Sequence, residues 1–395
     1  MFPVLEKIKP IEKEEKKTDK IVRDFLQKLD DKLVGARAFV GGSFGKGTWL
    51  KGDHDIDVFV RFEEDQEISD TLELCLQRAF SKIERVHGSR DYFQVIFKGL
   101  NFEIVPVFKI EKAAEAHNVT DVSPLHVKWV RKNSTNFLRD EIRLAKQFCK
   151  AQKVYGAETY IKGFSGYVME LLVIYYGSFK KFIEGVSKWK IGQEINPGKN
   201  KFNLNPSKIS PLLLIDPVQP NRNTAAAVSL EKFKNLISGC KKYNARPRAE
   251  MFRIKKVDLG KIHSHDVVFF AKALEGKKDN VGTKLLKAQE EIENQLNLEG
   301  FKVLSSGWEW EDIAYFWYDV KHKELKPFKE HAGPPKDNEE HAASFRAKHF
   351  DRTITEVEGK LYAVLPRKYR KVKDFAKTVI KLPRVKERVR AIKLV

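Results

Sequence analysis

The chain has 395 residues, with 74 Lys and Arg against 54 Asp and Glu and a formal net charge of +20. That length exceeds one ordinary core and points to two to four domains, and 42% hydrophobic content is ample for burial. The charge favours a polyanionic partner and says little about fold, and no run of roughly eighteen apolar residues exists that would cross a membrane. Cys75, Cys149 and Cys240 are widely spaced and form no metal or redox pattern, and residues 6–20 are charged with no apolar leader core. A reducing cytoplasm without membrane attachment is the expectation.

In chain order, Ile21, Phe25, Leu29 and Leu33 predict a helix over 18–33. A Gly41-Gly42-Ser43 turn and a short helix follow, then a β-patterned run over 55–62. Residues two apart in a strand share a face, so Asp55 and Asp57 project side by side while Ile56, Val58, Val60 and Phe62 can turn to a core. Two carboxylates without a basic partner repel each other. Hard Mg²⁺, which takes one or two carboxylates plus substrate phosphates, relieves that repulsion. The Gly-Gly-Ser turn offers backbone that can approach phosphate closely.

A helix is expected over 69–86, with Leu72, Leu76, Ala79, Phe80 and Ile83 on one face. Residues 93–97 and 102–108 read as a hairpin around Lys98-Gly99-Leu100-Asn101, and Glu103 in its second strand supplies a third carboxylate. From 139 to 186 the pattern is helical, and the greasiest stretch, 166–176, reads as a buried helix although it contains Glu170. Residues 192–211 read as a loop, 212–215 as a short strand before the Asp216-Pro217 turn, and 229–243 as a helix.

A third region begins after Arg248. It has strand patterns at 266–272 and 308–320 around a helix at 280–298, a Gly333-Pro334-Pro335 break, and a helix over 338–349. The alternating aromatics from Trp308 to Tyr318 read more simply as a core face than as a base-stacking platform, and His263 and His265 as turn histidines. Residues 366–395 carry twelve basic residues against Asp374 and Glu387, half the net charge in thirty residues, with a helical stripe of Val372, Phe375, Ala376, Val379 and Ile380. An RNA-binding element is expected there, in preference to a solvated basic tail.

Gly-Ser, the fixed gap, Asp-x-Asp and the later apolar-Glu-apolar strand together resemble the nucleotidyltransferase head of polymerase β-like enzymes. Five further motifs narrow the resemblance. They are Gly-Ser-Phe-Gly-Lys-Gly-Thr-Trp-Leu-Lys-Gly at 42–52, Ser-Pro-Leu-His-Val-Lys-Trp at 123–129, Tyr-Gly-Ala-Glu at 155–158, Gly-Phe-Ser-Gly-Tyr-Val-Met-Glu-Leu at 163–171, and Asp-Pro-Val-Gln-Pro-Asn-Arg-Asn at 216–223. In this order they are similar to the archaeal (class I) CCA-adding enzymes, tRNA nucleotidyltransferases that build the 3′ CCA end without a template. The likeness runs from about residue 20 to about 350 and thins after 230, where the chain looks shortened.

The resemblance implies an α+β, multidomain fold. It places a polymerase β-like catalytic head at 1–125, a mainly helical nucleotide- and primer-binding domain at 126–245, and an α+β tRNA-binding region with a basic end at 246–395. It implies two-metal transfer from CTP and ATP to tRNA lacking a complete CCA end, with Mg²⁺ on Asp55, Asp57 and Glu103 as the catalytic carboxylates. Nucleotide contacts fall on Gly42, Ser43, Lys46, Ser123, His126, Lys146 and Tyr155, and Arg222 faces the incoming base. Lys46 stands where the family often has Arg, and Glu103 where Asp is commoner. The Mg²⁺-bound carboxylates lower the pKa of the primer hydroxyl, so no separate His base is needed. RNA contacts are expected at Arg367, Lys368, Arg370 and Lys371. A poly(A) polymerase, a 2′-5′ oligoadenylate synthetase and a non-catalytic RNA-binding protein on the same head remain alternatives, and the oligomeric state, a homodimer included, stays open.

Overall fold

The computed structural model describes residues 2–53, 55–63, 67–88, 90–255 and 257–395. The chain forms two compact units, Met1–Lys255 and Lys256–Val395. The first begins with helices α1 (Phe2–Ile8) and α2 (Glu12–Asp30), followed by β1 (Ala36–Val40), the short helix α3 (Gly42–Lys46) and β2 (Asp55–Phe62). Then come α4 (Ile68–Ala79), β3 (Glu84–Val86), β4 (Tyr92–Phe97) and β5 (Leu100–Phe108). The five strands order as β1-β2-β5-β4-β3, with β2 and β5 parallel and the other pairs antiparallel. Lys98 (φ 48°) and Gly99 (φ 83°) are the two turn residues between β4 and β5, the left-handed pair that matches strand twist in a tight hairpin.

One face of this sheet is apolar and carries α2 and α4. Ile56, Val58, Val60, Phe62, Phe93, Val95, Phe102 and Ile104 pack there against Ile21, Phe25, Leu72 and Leu76. Phe25 lies stacked between Phe80 and Phe102, at 4.6 and 3.8 Å. That packing corrects one expectation. The helix predicted over 69–86 stops at Ala79, because Phe80 turns extended to reach Phe25, and Glu84–Val86 becomes an edge strand on β4.

The unit continues with α5 (Ser123–Asn133), α6 (Asn136–Ala151), α7 (Gly166–Tyr176), α8 (Phe179–Val186), the short parallel strands β6 (Gln193–Ile195) and β7 (Leu212–Leu214), and α9 (Leu230–Ala245). Thr135, Ser165, Ser178 and Ser229 cap α6 to α9, each side chain accepting a backbone N–H three residues on. Ile142, Phe148, Met169, Phe179, Phe182, Phe233 and Leu236 form their common core. The helical reading of 139–186 is interrupted where Tyr155 bridges Phe164, and the predicted loop over 192–211 contains β6.

The second unit contains α10 (Leu259–His263), β8 (Val267–Lys272), α11 (Lys278–Glu299), β9 (Val303–Trp310), β10 (Ala314–Val320), β11 (Phe328–Pro335), α12 (Glu339–Lys348), β12 (Ile354–Val357), β13 (Lys360–Pro366), α13 (Val372–Val379), α14 (Pro383–Lys386) and β14 (Ala391–Leu394). One sheet orders as β14-β8-β10-β9 and the other as β11-β13-β12. Phe316 and Tyr318 are buried with Ala314 and Val320, whereas Tyr315 and Trp317 occupy the opposite face of β10. The Gly333-Pro334-Pro335 break is not a break. It lies in β11, an edge strand whose register shifts between Ala332 and Pro335, which is where proline is tolerated in a sheet. The basic end is no loose tail either: Val372, Phe375, Ala376 and Val379 enter the core of this unit, and β14 pairs with β8. Among the described residues no helix is long and apolar enough to cross a membrane.

Candidate active site

The second face of the first sheet is divided along its strands. Towards the C-terminal ends of β2 and β5, Phe59 and Val107 pack under Val127 of α5. Towards the N-terminal ends the face is polar. Asp57 pairs in register with Glu103, and Asp55 with Asn101. Parallel partners share a face, so the sheet places the three predicted carboxylates on one face, Asp57 beside Glu103 and Asp55 two residues before Asp57. Their side-chain partners are neutral amides: Gln94 Nε2 donates to Glu103 Oε1 at 2.8 Å, and Asn101 Nδ2 donates to Asp55 Oδ1 at 3.0 Å. An amide orients a carboxylate without cancelling its charge.

The negative charge therefore accumulates. Burial, together with Glu103 and Asp55, pushes the Asp57 carboxyl up to about 6, against the pull of Lys46. Elsewhere in this unit carboxylates are matched by cations, as in Arg85 with Asp70, Glu73 and Asp91, or Arg90 with Asp121. A hard divalent cation suits this oxygen set, which Lys46 compensates only in part. Among the described residues no group of three His, Cys, Asp or Glu side chains stands close enough together to hold a metal ion. An ion here would accordingly draw further oxygens from a bound phosphate.

The Gly-Ser turn meets the carboxylates at contact distance. Gly41 N donates to Asp57 O at 2.7 Å, and Gly42 sits at φ +54° so close that a Cβ would lie 1.5 Å from Asp57 Oδ2. Only glycine permits that approach. Ser43 follows on α3, half-buried, its carbonyl accepting from Thr48 N at 2.9 Å. Gly47 (φ +70°) ends the helix in the left-handed conformation.

Beneath this turn lies a fully buried carboxylate that the motifs did not mark as functional. Glu170 of α7 receives Lys146 Nζ of α6 at 2.8 Å and Thr48 Oγ1 at 2.7 Å on Oε1, and Lys46 Nζ at 2.9 Å on Oε2. The Lys46 contact is an ion pair without hydrogen-bond alignment. Burial raises the Glu170 carboxyl, but Lys146 and Lys46 outweigh it and bring it down to about 2. Burial lowers the Lys146 ammonium, which Glu170 opposes. Lys146 is thus closed off from water, its Nζ also donating to Thr48 Oγ1 at 2.9 Å. The signal available in the sequence was an acid inside the greasiest helix, since a buried charge demands a partner.

A second buried acid organises the other predicted contacts. Asp216 Oδ2 lies 3.0 Å from His126 Nε2 and accepts from Arg222 Nη1 at 3.1 Å, and Oδ1 accepts from Tyr167 Oη at 3.1 Å. Burial raises this carboxyl, yet the His126, Val218 and Arg222 contacts hold it below the ordinary aspartate range. The Tyr167 ring lies 4.4 Å from the His126 ring, and Lys46 Nζ sits 5.0 Å above it. Lys46 therefore joins the two clusters. Ser123 opens α5, three residues before His126. Tyr155 lies under Lys150, and its hydroxyl crowds Gly166, where a Cβ would come within 2.9 Å.

The four basic residues expected to touch RNA lie in the second unit. Lys368, Arg370 and Lys371 are exposed. Arg367 is half-buried, and its Nη1 donates to Glu299 O at 2.6 Å, so its first role is to tie the end of β13 to α11.

Comparisons with known proteins match three successive stretches of the chain. A nucleotidyltransferase domain matches residues 19–136, the second domain of tRNA nucleotidyltransferase matches 140–253, and the CCA-adding enzyme C-terminal domain matches 266–387. The last extends the likeness beyond the point where sequence motifs could be followed. The CCA-adding enzyme of Nanoarchaeum equitans is 34% identical over 339 residues, covering 83% of each chain. That of Methanosarcina mazei is 32% identical over 371 residues, 88% of this chain and 80% of its own, and that of Sulfurisphaera tokodaii 35% over 314 residues, 77% and 74%. Among solved structures, a cytoplasmic RNA terminal U-transferase shares the fold at 14% identity with a TM-score of 0.50, over 65% of this chain and 98% of its own.

Proposed function

The chain belongs to the CCA-adding enzymes, and from that premise we propose that it adds C, C and A to the 3′ end of tRNA lacking a complete CCA, using CTP and ATP without a template and releasing pyrophosphate. The observation that carries this reading is the approach of Gly42 to Asp57 on a strand face shared with Asp55 and Glu103. A loop that touches phosphate and a carboxylate set that recruits divalent ions are thereby held in one place.

Asp55, Asp57 and Glu103 would hold Mg²⁺. When bound it supplies Lewis acidity, lowering the pKa of the primer 3′-hydroxyl and neutralising the triphosphate. The chain's own work is positioning and electrostatics, as in phosphoryl-type transfers generally. Gln94 and Asn101 fix the carboxylates while leaving them charged. Gly42 and Ser43 offer backbone and hydroxyl to the triphosphate. Lys46 and Lys146 act from below, setting the turn through Glu170 and raising the local positive potential. Ser123 and Tyr155 line the phosphate path.

Base choice falls to Arg222. Asp216 occupies one of its nitrogens and so fixes the plane of the guanidinium, leaving other donors for the Watson–Crick edges of C and A. His126 is held by the same carboxylate, which keeps one ring nitrogen engaged. In this reading residues 1–125 perform the chemistry, 126–245 present the nucleotide and primer end, and 246–395 hold the tRNA, with Lys368, Arg370 and Lys371 on its phosphates and Arg367 chiefly structural. Three free, buried cysteines fit a reducing cytoplasm.

The test is incubation with tRNA ending at its discriminator base, supplying each nucleotide alone and then CTP with ATP. Two C from CTP alone and a terminal A once ATP is present are expected. Long poly(A) product, or no use of CTP, would overturn the assignment.

A further inference from the structure

We propose that a groove along edge strand β1, between helix α5 on the carboxylate-bearing face and α2 around the edge, binds the phosphate backbone of the RNA substrate away from its reacting 3′ end. This rests on the reading that RNA is the substrate and adds a contact surface in the first unit. The groove is a cavity of about 540 Å³ with Leu26, Phe39, Val40 and Leu125 among its apolar lining. A second cavity of about 360 Å³ continues it, sharing Leu26, Val40 and Arg131 and adding Arg23 and Arg139 with one acid, Asp19. Arg61 follows Asp57 by four residues along β2, about 13 Å at the usual rise of a strand.

The charge around this groove is what needs a partner. Arg37 and Arg61 stand directly opposite each other across β1 and β2. Like charges in that relation destabilise a strand pair. Lys128 and Arg131 of α5 add two further cations to the same lining. Among the described residues none of Arg37, Arg61, Lys128 and Arg131 forms an ion pair within the chain, although Arg85, Arg90 and Arg143 of the same unit each hold carboxylates. Of the acids on the lining, Asp121 is already bound by Arg90, which leaves Glu111 against four cations. Arg131 gains something from the carbonyl end of α5. Arg37 and Arg61 stand at no helix end; Glu63, on which Arg61 also acts, is already bound by Lys109, and a phosphate chain supplies the further counter-charge. Arginine forks suit phosphate oxygens, and the Phe39 ring, with Arg61 5.9 Å above it, offers a surface for a base or ribose.

The experiment measures binding of a 5′-fluorescein RNA hairpin with a single-stranded 3′ end, across a salt series, to the full chain. The groove variant is Arg37→Gln, Lys128→Gln, Arg131→Gln, three exposed positions. The control is Lys180→Gln, Lys181→Gln, Lys188→Gln, equally exposed on and after α8 and equal in charge removed. Removing three phosphate-neutralising cations should weaken binding at least about tenfold at low salt and reduce the slope of log K against log salt by roughly 2–3. The control should stay within about twofold of the parent protein. A 4-thiouridine-substituted hairpin should also crosslink to peptides from 36–40 or 124–131. Equal behaviour of the two variants, or crosslinks confined to other peptides, would overturn the proposal. Nucleotide incorporation by the parent protein is read separately. Its absence would contradict the CCA assignment and leave the groove result standing.

Discussion

Lys146 Nζ lies 2.8 Å from Glu170 Oε1 in a place closed to water, and Lys46 reaches the other oxygen of that carboxylate from 2.9 Å. One acid thus carries two buried cations drawn from different elements, α3 and α6. Removing it would leave two buried ammonium groups without their nearest counter-charge, which is costlier than losing the attraction itself.

Glu170→Gln keeps the shape and removes the charge. We expect a loss of about 3–5 kcal/mol in urea unfolding, the range for breaking a buried pair. Nucleotide KM should rise as the Gly-Ser turn loosens. A stability change below about 1 kcal/mol would mean that the two lysines find other partners.

The same group sets a pH dependence. Its folded carboxyl lies at about 2 against an ordinary 4.5, so its contribution is complete above pH 4.5 and is lost as pH falls towards 2. Acid unfolding of Glu170→Gln should therefore show a shallower decline over that window than the parent protein. Parallel curves would show that Glu170 does not set the acid limit.

Gly42→Ala inserts a methyl group 1.5 Å from Asp57 Oδ2 at a backbone φ of +54°. The turn and the carboxylate must separate, and a misplacement of about 1 Å costs roughly 10²-fold in rate. Single-turnover addition of CTP should fall by at least that factor with tRNA affinity unchanged. Normal rates would show that the turn is not part of the reacting centre.

Asp216→Asn leaves His126 and Arg222 in place but removes charge-assisted hydrogen bonds worth about 1.5–3 kcal/mol each. Misincorporation of UTP and GTP should rise, with KM for CTP up by about tenfold, the equivalent of roughly 1.4 kcal/mol. Unchanged base selection would take Arg222 out of that role.

How much of this could be read from residues alone follows from the range of each interaction. The strands carrying Asp55, Asp57 and Glu103 were legible because strand period and the Lys98-Gly99 turn are local, whereas the register that sets Asp57 beside Glu103 comes from the parallel pairing of β2 with β5. Glu170 as an anchor was not, since its partner Lys46 lies far back along the chain and only the folded structure brings the two side chains within 2.9 Å. Asp216 was visible as a turn residue, but its hold on His126, 90 residues earlier, was not. The end of α4 was misplaced because Phe80 continues the helical stripe in sequence yet packs on Phe25 instead. Pro334 and Pro335 read as a break because edge position is a property of the sheet, not of the dipeptide.

Lys368, Arg370 and Lys371 remain exposed near the end of the chain. Their joint replacement by Ala, leaving Arg367 on Glu299, should raise KM for tRNA and flatten its salt slope by roughly 0.7–0.9 for each phosphate no longer neutralised. KM for CTP should not move. An unchanged slope would make this charge a solvated surface.

The reacting centre itself is tested by single-turnover addition of CTP to tRNA ending at its discriminator base, in the parent protein and in Asp57→Asn, with tRNA affinity measured alongside. The amide keeps the shape of the side chain and removes the charge that would hold the divalent ion. We expect addition to fall by at least about 10²–10³-fold while tRNA binding stays the same. Addition near the parent rate in a folded Asp57→Asn protein would contradict the assignment of the chemistry to this strand face.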